Sequence, residues 1–361
     1  MADNWRLIDT GLRPAAQNIA LSRALLEARR ADEIPSTLRF LRFTPTALLA
    51  ARQSAEQEFD LEYCRAQAIP VQRRLTGGRA LYADPNQLGW ELHLHAREVG
   101  ANGAQVLLRR LCHAAATALS ALGIDARYRP GNEVEVDGRA IASSGMVSDG
   151  DAVSFHGMVA LDCDPERAVR VLRLPSGKHM DIARTALEAR HTTLKTLFGR
   201  APETALVKRY LAEAYESEFG VEFGEGDLTL SEHARYQAAL RAIDGPSWVQ
   251  LNGRPASEMP VVEAVQSFSG GLLRATVMLE TATQTIRQVW FTGDIASNPA
   301  RALHDLEAAL RDIPMSRLAR RVEWFFRSRP VDIPGLKPED FVAAVRRAVG
   351  RPLLARNSSL Q

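Results

Sequence analysis

The stretch Arg73-Arg74-Leu75-Thr76-Gly77-Gly78-Arg79-Ala80-Leu81-Tyr82-Ala83-Asp84 decides how the rest of the chain is read. It follows directly on the apolar run Ala68-Ile69-Pro70-Val71. Glycine has no Cβ, so a glycine pair lets the backbone approach a ligand and aim its N–H groups at an anion. Arginine adds a planar fork of donors that matches carboxylate or phosphate. Two readings stand side by side: a loop that cradles an acyl-phosphate or nucleotide, and a hairpin turn with exposed arginines. Gly-Gly is a common turn signal as well.

Upstream of the loop, Trp5 to Gly11 reads as a short strand and turn, and Ala15 to Ala31 as an amphipathic helix with Ile19, Leu21, Leu25 and Leu26 on one side. Strands are expected at Leu38–Phe43 and Leu48–Gln53, and a helix at Asp60–Ala68. Downstream, Gly89 to His95 alternates. Trp90, Leu92 and Leu94 face one way, and Glu91, His93 and His95 form an opposite, solvated face. A helix is expected over 103–122. Glu133 to Ala142 reads as a β-hairpin on the Asp137-Gly138 turn, and Phe155–Asp162 as a strand. Helices follow at 164–172, 181–198 and 203–218, and the pattern weakens over 220–260. A second compact pattern then has strands at Val261–Val265, Leu272–Leu279 and Ile286–Thr292, with a helix at Ala300–Arg311. The tail from 315 to 350 is Arg-rich and helical, with Trp324, Phe325 and Phe326 packed and the arginines solvated. Strands and helices mix without regular alternation, so the expected class is α+β with mixed sheets and flanking helices.

At 361 residues the chain suggests two domains, placed at 1–245 and 255–361. A net charge of +2 argues against nucleic acid or membrane as partner. Cys64, Cys112 and Cys163 are far apart with no CxxC spacing, which argues against a disulfide framework and against a zinc site and favours a reducing compartment. The first residues lack a cationic start followed by an apolar run, and no apolar run reaches membrane-spanning length. The expectation is a cytoplasmic protein. The basic residues are almost all arginine: the lysines are Lys178, Lys195, Lys208 and Lys337, so none precedes position 178.

Taken in order over residues 5–310, these motifs resemble the lipoate–protein ligases of the biotin/lipoate ligase superfamily. Their loop reads Arg-Arg-x-x-Gly-Gly-Gly-Ala-Val-x-His-Asp, and Arg73 to Asp84 is similar to it. Ala50-Ala51-Arg52-Gln53 stands at the upstream Gly-Arg-x-Gln element, and Asn132 to Val136 at Asn-Asp-x-x-Val. His156-Gly157-Met158-Val159-Ala160 stands at the His-Gly-Thr-Leu-Leu strand. The unit with Gly270-Gly271 and Thr292-Gly293-Asp294 resembles the small accessory domain of the bacterial ligases.

The resemblance implies a lipoate ligase-like catalytic domain with a small α+β accessory domain. It implies activation of lipoate by ATP and Mg²⁺ to lipoyl-AMP, then transfer of the acyl group to a lysine of a lipoyl-domain protein. Lipoate or octanoate would be the small-molecule substrate. Arg73, Arg74, Gly77, Gly78, Arg79, Ala80, Asn132, His156 and Gly157 would bind the acyl-adenylate, with Arg73 also catalytic; Leu81, Val134 and Val159 either line the acyl tunnel or belong to the core. No metal ligand is assigned.

One departure bears directly on the chemistry. The family's Lys-x-x-Gly motif follows the hairpin turn, and its lysine contacts both acyl carbonyl and phosphate. Here the stretch is Gly138-Arg139-Ala140-Ile141-Ala142-Ser143, with Ala140 at the lysine position. Arg139 or another arginine could supply the charge, Lys178 could reach the site as a catalytic residue, or the chain no longer adenylates and is a non-catalytic relative that binds a lipoylated or adenylated partner. Arg79 and Ala83 stand where the ligases tend to have Gly and His. The related octanoyl transferases, the alternative function within the superfamily, share a similar loop and use a cysteine nucleophile, in one group just before the hairpin. Residues 113–162 contain no cysteine, and each cysteine present reads as a small buried hydrophobe.

Overall fold

The computed structural model describes residues 4–100, 103–173, 179–251, 259–269 and 271–350. The chain divides into two compact units. One is built from residues 1–51, 55–76 and 80–251; the other from 52–54, 77–79 and 252–361.

The first unit is organised around an eight-stranded mixed sheet. Its strands are β1 (Asn4–Arg13), β2 (Thr37–Phe43), β6 (Gln87–His95), β7 (Arg127–Arg129), β8 (Glu133–Val136), β9 (Arg139–Asp149), β10 (Ala152–Ala160) and β11 (Glu222–Glu225), in the order β11-β1-β2-β6-β10-β9-β8-β7. The missing numbers belong to a three-stranded sheet in which β3 (Thr46–Leu49) pairs with β4 (Val71–Arg73) in parallel and β5 (Leu81–Ala83) antiparallel. The hairpin between β8 and β9 turns at Asp137 and Gly138, both at positive φ (51° and 76°). Glycine, and to a lesser degree aspartate, tolerates this region.

Alternation along β6 and β2 separates the two faces of the sheet. Trp90, Leu92 and Leu94, with Leu38 and Phe40, meet α2 (Ala104–Ser120) and α3 (Thr204–Phe219) in the main core. Val207, Leu211 and Tyr215 recur every fourth residue on α3, the stripe of a helix packed on one side. The opposite face is covered by α1 (Ala15–Arg30), which packs with α4 (Leu230–Ile243). The side of β6 expected to be solvated is therefore buried: Glu91 is 2% exposed and His93 fully covered. The correction has a physical cause, because α1 carries Asn18 and Ser22 one turn apart and can satisfy polar groups beneath it.

Helix α4 falls where the sequence pattern weakened. Thr229 and Glu232 form a capping box at its start, and Ala239 and Ile243 bury against the α1 side. The helix expected over 181–198 is two, Met180–Arg190 and Leu194–Phe198, because Thr193 caps a new start. The strand expected over Leu48–Gln53 begins earlier and stops at Leu49.

The second unit has an antiparallel sheet of β12 (Val261–Phe268), β13 (Gly271–Glu280), β14 (Thr285–Gly293) and β15 (Ile313–Pro314). Helices α5 (Ala302–Ala309), α6 (Leu318–Ser328) and α7 (Pro338–Val349) complete its core around Phe291, Phe325 and Phe341. Trp324, expected to pack, is 48% exposed; Phe325 takes the buried position.

Candidate functional site

Strand β4 ends at Arg73, and the loop that follows runs beside the end of β3. Arg74 N donates to Leu49 O, and Ala51 N donates to Thr76 O, both at 2.9 Å. Thr76 presses on β9. A Cβ built on Gly145 would stand 3.1 Å from the Thr76 side chain, so glycine is needed for the loop to lie this close. Gly145 pairs directly with His156 across β9 and β10. Arg74 is half-buried, donates from Nε to Thr76 Oγ1 at 3.1 Å, and lies near enough to His156 for its charge to disfavour the protonated ring. Arg74, Thr76, Gly145 and His156 therefore converge, and they form the candidate site.

The other residues singled out by sequence do different work. Arg73 is 1% exposed, and its guanidinium donates to Ala50 O, Ala51 O, Trp248 O and Val249 O, while Trp248 Nε1 donates to Arg73 O. Expected as an anion ligand, Arg73 instead ties strand ends together. Gly157 was expected to touch nucleotide. It lies opposite Trp90, and a Cβ there would sit 2.2 Å from the indole, so its glycine makes room for the core. Asn132 Nδ2 donates to Ser144 O at 2.5 Å, while Ser144 N and Oγ donate to Asn132 O; the side chain clamps β8 to β9.

Gly77, Gly78 and Arg79 belong to the second unit. There a Cβ on Gly77 would lie 2.6 Å from Ile295 O, so the close approach that glycine permits is to the chain itself. Gln53 Nε2 donates to Asp294 Oδ1 at 2.9 Å, and exposed Arg79 lies 3.8 Å from the same carboxylate. Arg52 pairs with Glu307 and donates to Phe291 O. Ala80 packs at the edge of the cluster around Phe59 and Tyr82. Val134 and Val159 are main-core residues and Leu81 packs in the cluster beside α4, so their core reading holds. Lys178 and Gly270 lie outside the described residues.

Ala140, at the lysine position, is buried, and its carbonyl accepts from Thr192 N at 2.9 Å. Lys195 is paired with Asp162 at 2.7 Å, and Lys208 with Asp9. Neither ammonium is offered to the site. The cysteines are equally unsuited to attack. Burial pushes the Cys112 thiol up to about 11, only partly offset by its bond with Ser144 Oγ at 3.2 Å. Burial and the acids at 84, 164 and 162 push Cys163 up to about 11, and burial raises Cys64. A thiol is nucleophilic as thiolate, which these surroundings disfavour.

Sequence reasoning missed the polar network behind His156. Glu91 accepts from Ser22 Oγ (2.6 Å) and Arg39 Nη1 (2.9 Å), and lies 3.1 Å from His93 Nε2 and 3.4 Å from His156 Nδ1. Burial raises the Glu91 pKa, but His156, Arg39 and His93 overcome it and hold the carboxyl well below its usual range. Burial pushes His156 down to about 4, against the pull of Glu91, and Nε2 shares a 2.8 Å hydrogen bond with Ser154 Oγ. Near neutral pH His156 is thus an uncharged ring with both nitrogens engaged. The available signal was Arg39 inside an apolar strand, with Asn18 and Ser22 at helical spacing and Glu91 and His93 on one strand face.

A cleft of about 710 Å³ elsewhere on the first unit is lined by Phe59, Leu61, Tyr63, Leu172 and Met180 together with charged residues such as Asp60 and Arg173. Among the described residues, none of the sequence-predicted site residues lines it.

A mixed sheet between two helical layers, with an Arg-Arg loop laid over the β9–β10 pair, defines a ligase-like acyl-transfer fold of the biotin/lipoate kind. The chain belongs to the lipoyl protein ligase A/B catalytic-domain family, whose family model matches residues 14–216. It is a member of an enzyme family of lipoate ligases and octanoyltransferases. Among its relatives is the octanoyltransferase LipM of Symbiobacterium thermophilum, 28% identical over 268 residues, 68% of this chain and 97% of that protein. The fold is shared with the bipartite lipoate protein ligase of Thermoplasma acidophilum (22% identity, TM-score 0.62, 70% of this chain and 98% of that one). Lipoate-bound LipL1 of P. falciparum aligns over 96% of this chain and 99% of its own (13% identity, TM-score 0.73).

Proposed function

We propose that this chain transfers an octanoyl or lipoyl group from a thioester donor to a lysine of a lipoyl-domain protein, without adenylating the acid. The observation that carries this reading is the buried Ala140 at the position of the ligase lysine, tied at its carbonyl by Thr192. An adenylating ligase needs a cation there to bridge carbonyl and phosphate. Likeness to LipM over nearly all of that protein's length supports the transferase over the ligase expected from the motifs.

Transfer needs less machinery than adenylation. The amine of the acceptor lysine attacks the thioester carbonyl, a C–N bond forms, and the C–S bond breaks. The amine's proton leaves with the thiolate. Charge develops on the carbonyl oxygen, and Arg74 is the cation beside the neutral His156 ring that answers it. The raised thiol pKa values favour direct attack by the acceptor amine over a covalent cysteine intermediate.

The test is to mix the protein with an octanoyl carrier-protein thioester and a lipoyl domain, without ATP, and weigh the acceptor. An octanoyl mass gain that needs Arg74 supports the reading. Modification only with free acid and ATP, with pyrophosphate release, refutes it. The same Ala140 and the protonated thiols favour a second reading, a relative that binds the lipoyl domain without turnover. Binding with no transfer from either donor selects it.

A further inference from the structure

Helix α6 presents two unlike faces. Leu318, Val322 and Phe325 are fully buried. The outer face centres on Trp324, with Arg320 and Arg321 one turn before it, Arg327 one turn after, and Arg317 a turn earlier still. All are exposed. Arg321 stacks over the indole at 4.8 Å and donates from Nε to Ala309 O at 3.0 Å, which fixes the ring's posture. Glu323 is the acid on this helix and pairs with Arg327 at 3.2 Å. Arg317 and Arg320 make no ion pair among the described residues. Burying a Phe at 325 while exposing a Trp at 324 leaves a large apolar surface in water at the centre of a cationic ring.

Tryptophan and arginine are the residue types that dominate protein–protein hot spots, and a stacked, pre-set indole loses little freedom on binding. We propose that this face docks a carboxylate-bearing protein surface, that of the lipoyl-domain acceptor; the partner's identity rests on the function proposed above. Charge complementarity selects the occupant, since arginine forks meet carboxylates in pairs. A nucleic acid fits less well. Arg321 already covers one side of the lone indole, and the chain's net charge of +2 is no phosphate-binding footprint.

The experiment titrates the full chain with an unlipoylated lipoyl domain at two salt concentrations, for wild type, Trp324→Ala and the double change Arg317→Glu/Arg320→Glu. These side chains carry no core packing, so unchanged thermal unfolding checks that the variants fold. Both variants are expected to bind about tenfold or more weakly, with salt weakening the wild type, and to raise the KM for the acceptor while kcat holds. Affinities within about twofold of wild type overturn the proposal. So does a lipoyl domain that fails to bind, or variants that lose only duplex DNA binding. If the wild type binds the domain through α6 but transfers nothing, the docking surface stands and the proposed reaction falls. If transfer proceeds and neither variant changes KM, the reaction stands and the docking surface falls.

Discussion

Replacing Glu91 by glutamine tests the buried network behind His156. Arg39 is fully covered, and its guanidinium reaches Glu91 at 2.9 Å, Asn18 Oδ1 at 2.6 Å and Thr10 Oγ1 at 3.0 Å. The glutamine keeps the shape and one acceptor oxygen but leaves the guanidinium without a counter-charge in the interior. Breaking a buried pair by removing one partner costs about 3–5 kcal/mol, so the first unit should lose roughly that much. Arg39→Met alone leaves Glu91 with two histidines and a serine, and should cost a similar amount. The double change removes both charges. It should recover at least half of the summed loss, leaving about 1–3 kcal/mol for His93 Nε2, which shares the replaced oxygen with Arg39, while Ser22 and His156 keep the oxygen that remains. Urea unfolding near neutral pH, read by hydrogen exchange at the β6 and β10 amides, reports on this unit alone. A single-mutant loss under about 1 kcal/mol, the range of a solvated pair, would refute the argument. So would a double mutant whose loss equals the sum of the singles, since the two charges would then be uncoupled.

Three further outcomes follow from the same geometry. His156 is held at about 4 against an ordinary value of 6.5, so the unfolded chain takes up the proton first as pH falls. Its contribution is intact above pH 6.5 and is lost as pH drops toward 4, roughly 3 kcal/mol in all; His156→Asn should flatten that part of the urea-midpoint profile. Gly157→Ala drives a methyl into the Trp90 indole, whose Nε1 donates to Tyr215 Oη at 2.9 Å. It should cost about 1–3 kcal/mol or more and blue-shift or broaden the tryptophan emission, and an unchanged melting point would show that β10 yields freely. Cys112→Ala should leave acyl transfer within about twofold of wild type, because a thiol near 11 is protonated at working pH; loss of transfer with retained folding would restore a covalent route.

Most of the fold was legible because its signals are periodic. The helix over Ala15–Arg30, the Asp-Gly hairpin and the β12–β14 meander each follow from spacing and turn chemistry. Helix α4 was not, since few of its residues are buried (Glu232, Ala239 and Ile243) and its start is a capping box, a two-residue signal. The polar side of β6 was misread because a strand face looks the same in sequence whether water or a helix covers it. The site was least legible, and for a reason that bears on the function. Arg73, Gly157 and Asn132 match a ligand-binding motif by position, yet in this structure they tie strand ends, seat an indole and clamp a hairpin. A motif whose members also hold the scaffold persists for stability, whatever happens to the reaction. The lysine position is different in kind. Ala140 pairs with Glu135 beside a register shift in the β8–β9 ladder, and that pairing uses only backbone, so the ladder itself places no demand for an ammonium there. The chain can therefore resemble a ligase in the order of its motifs and still carry alanine at the position of the family lysine, and the experiment that separates ligase from transferase is transfer measured in the absence of ATP.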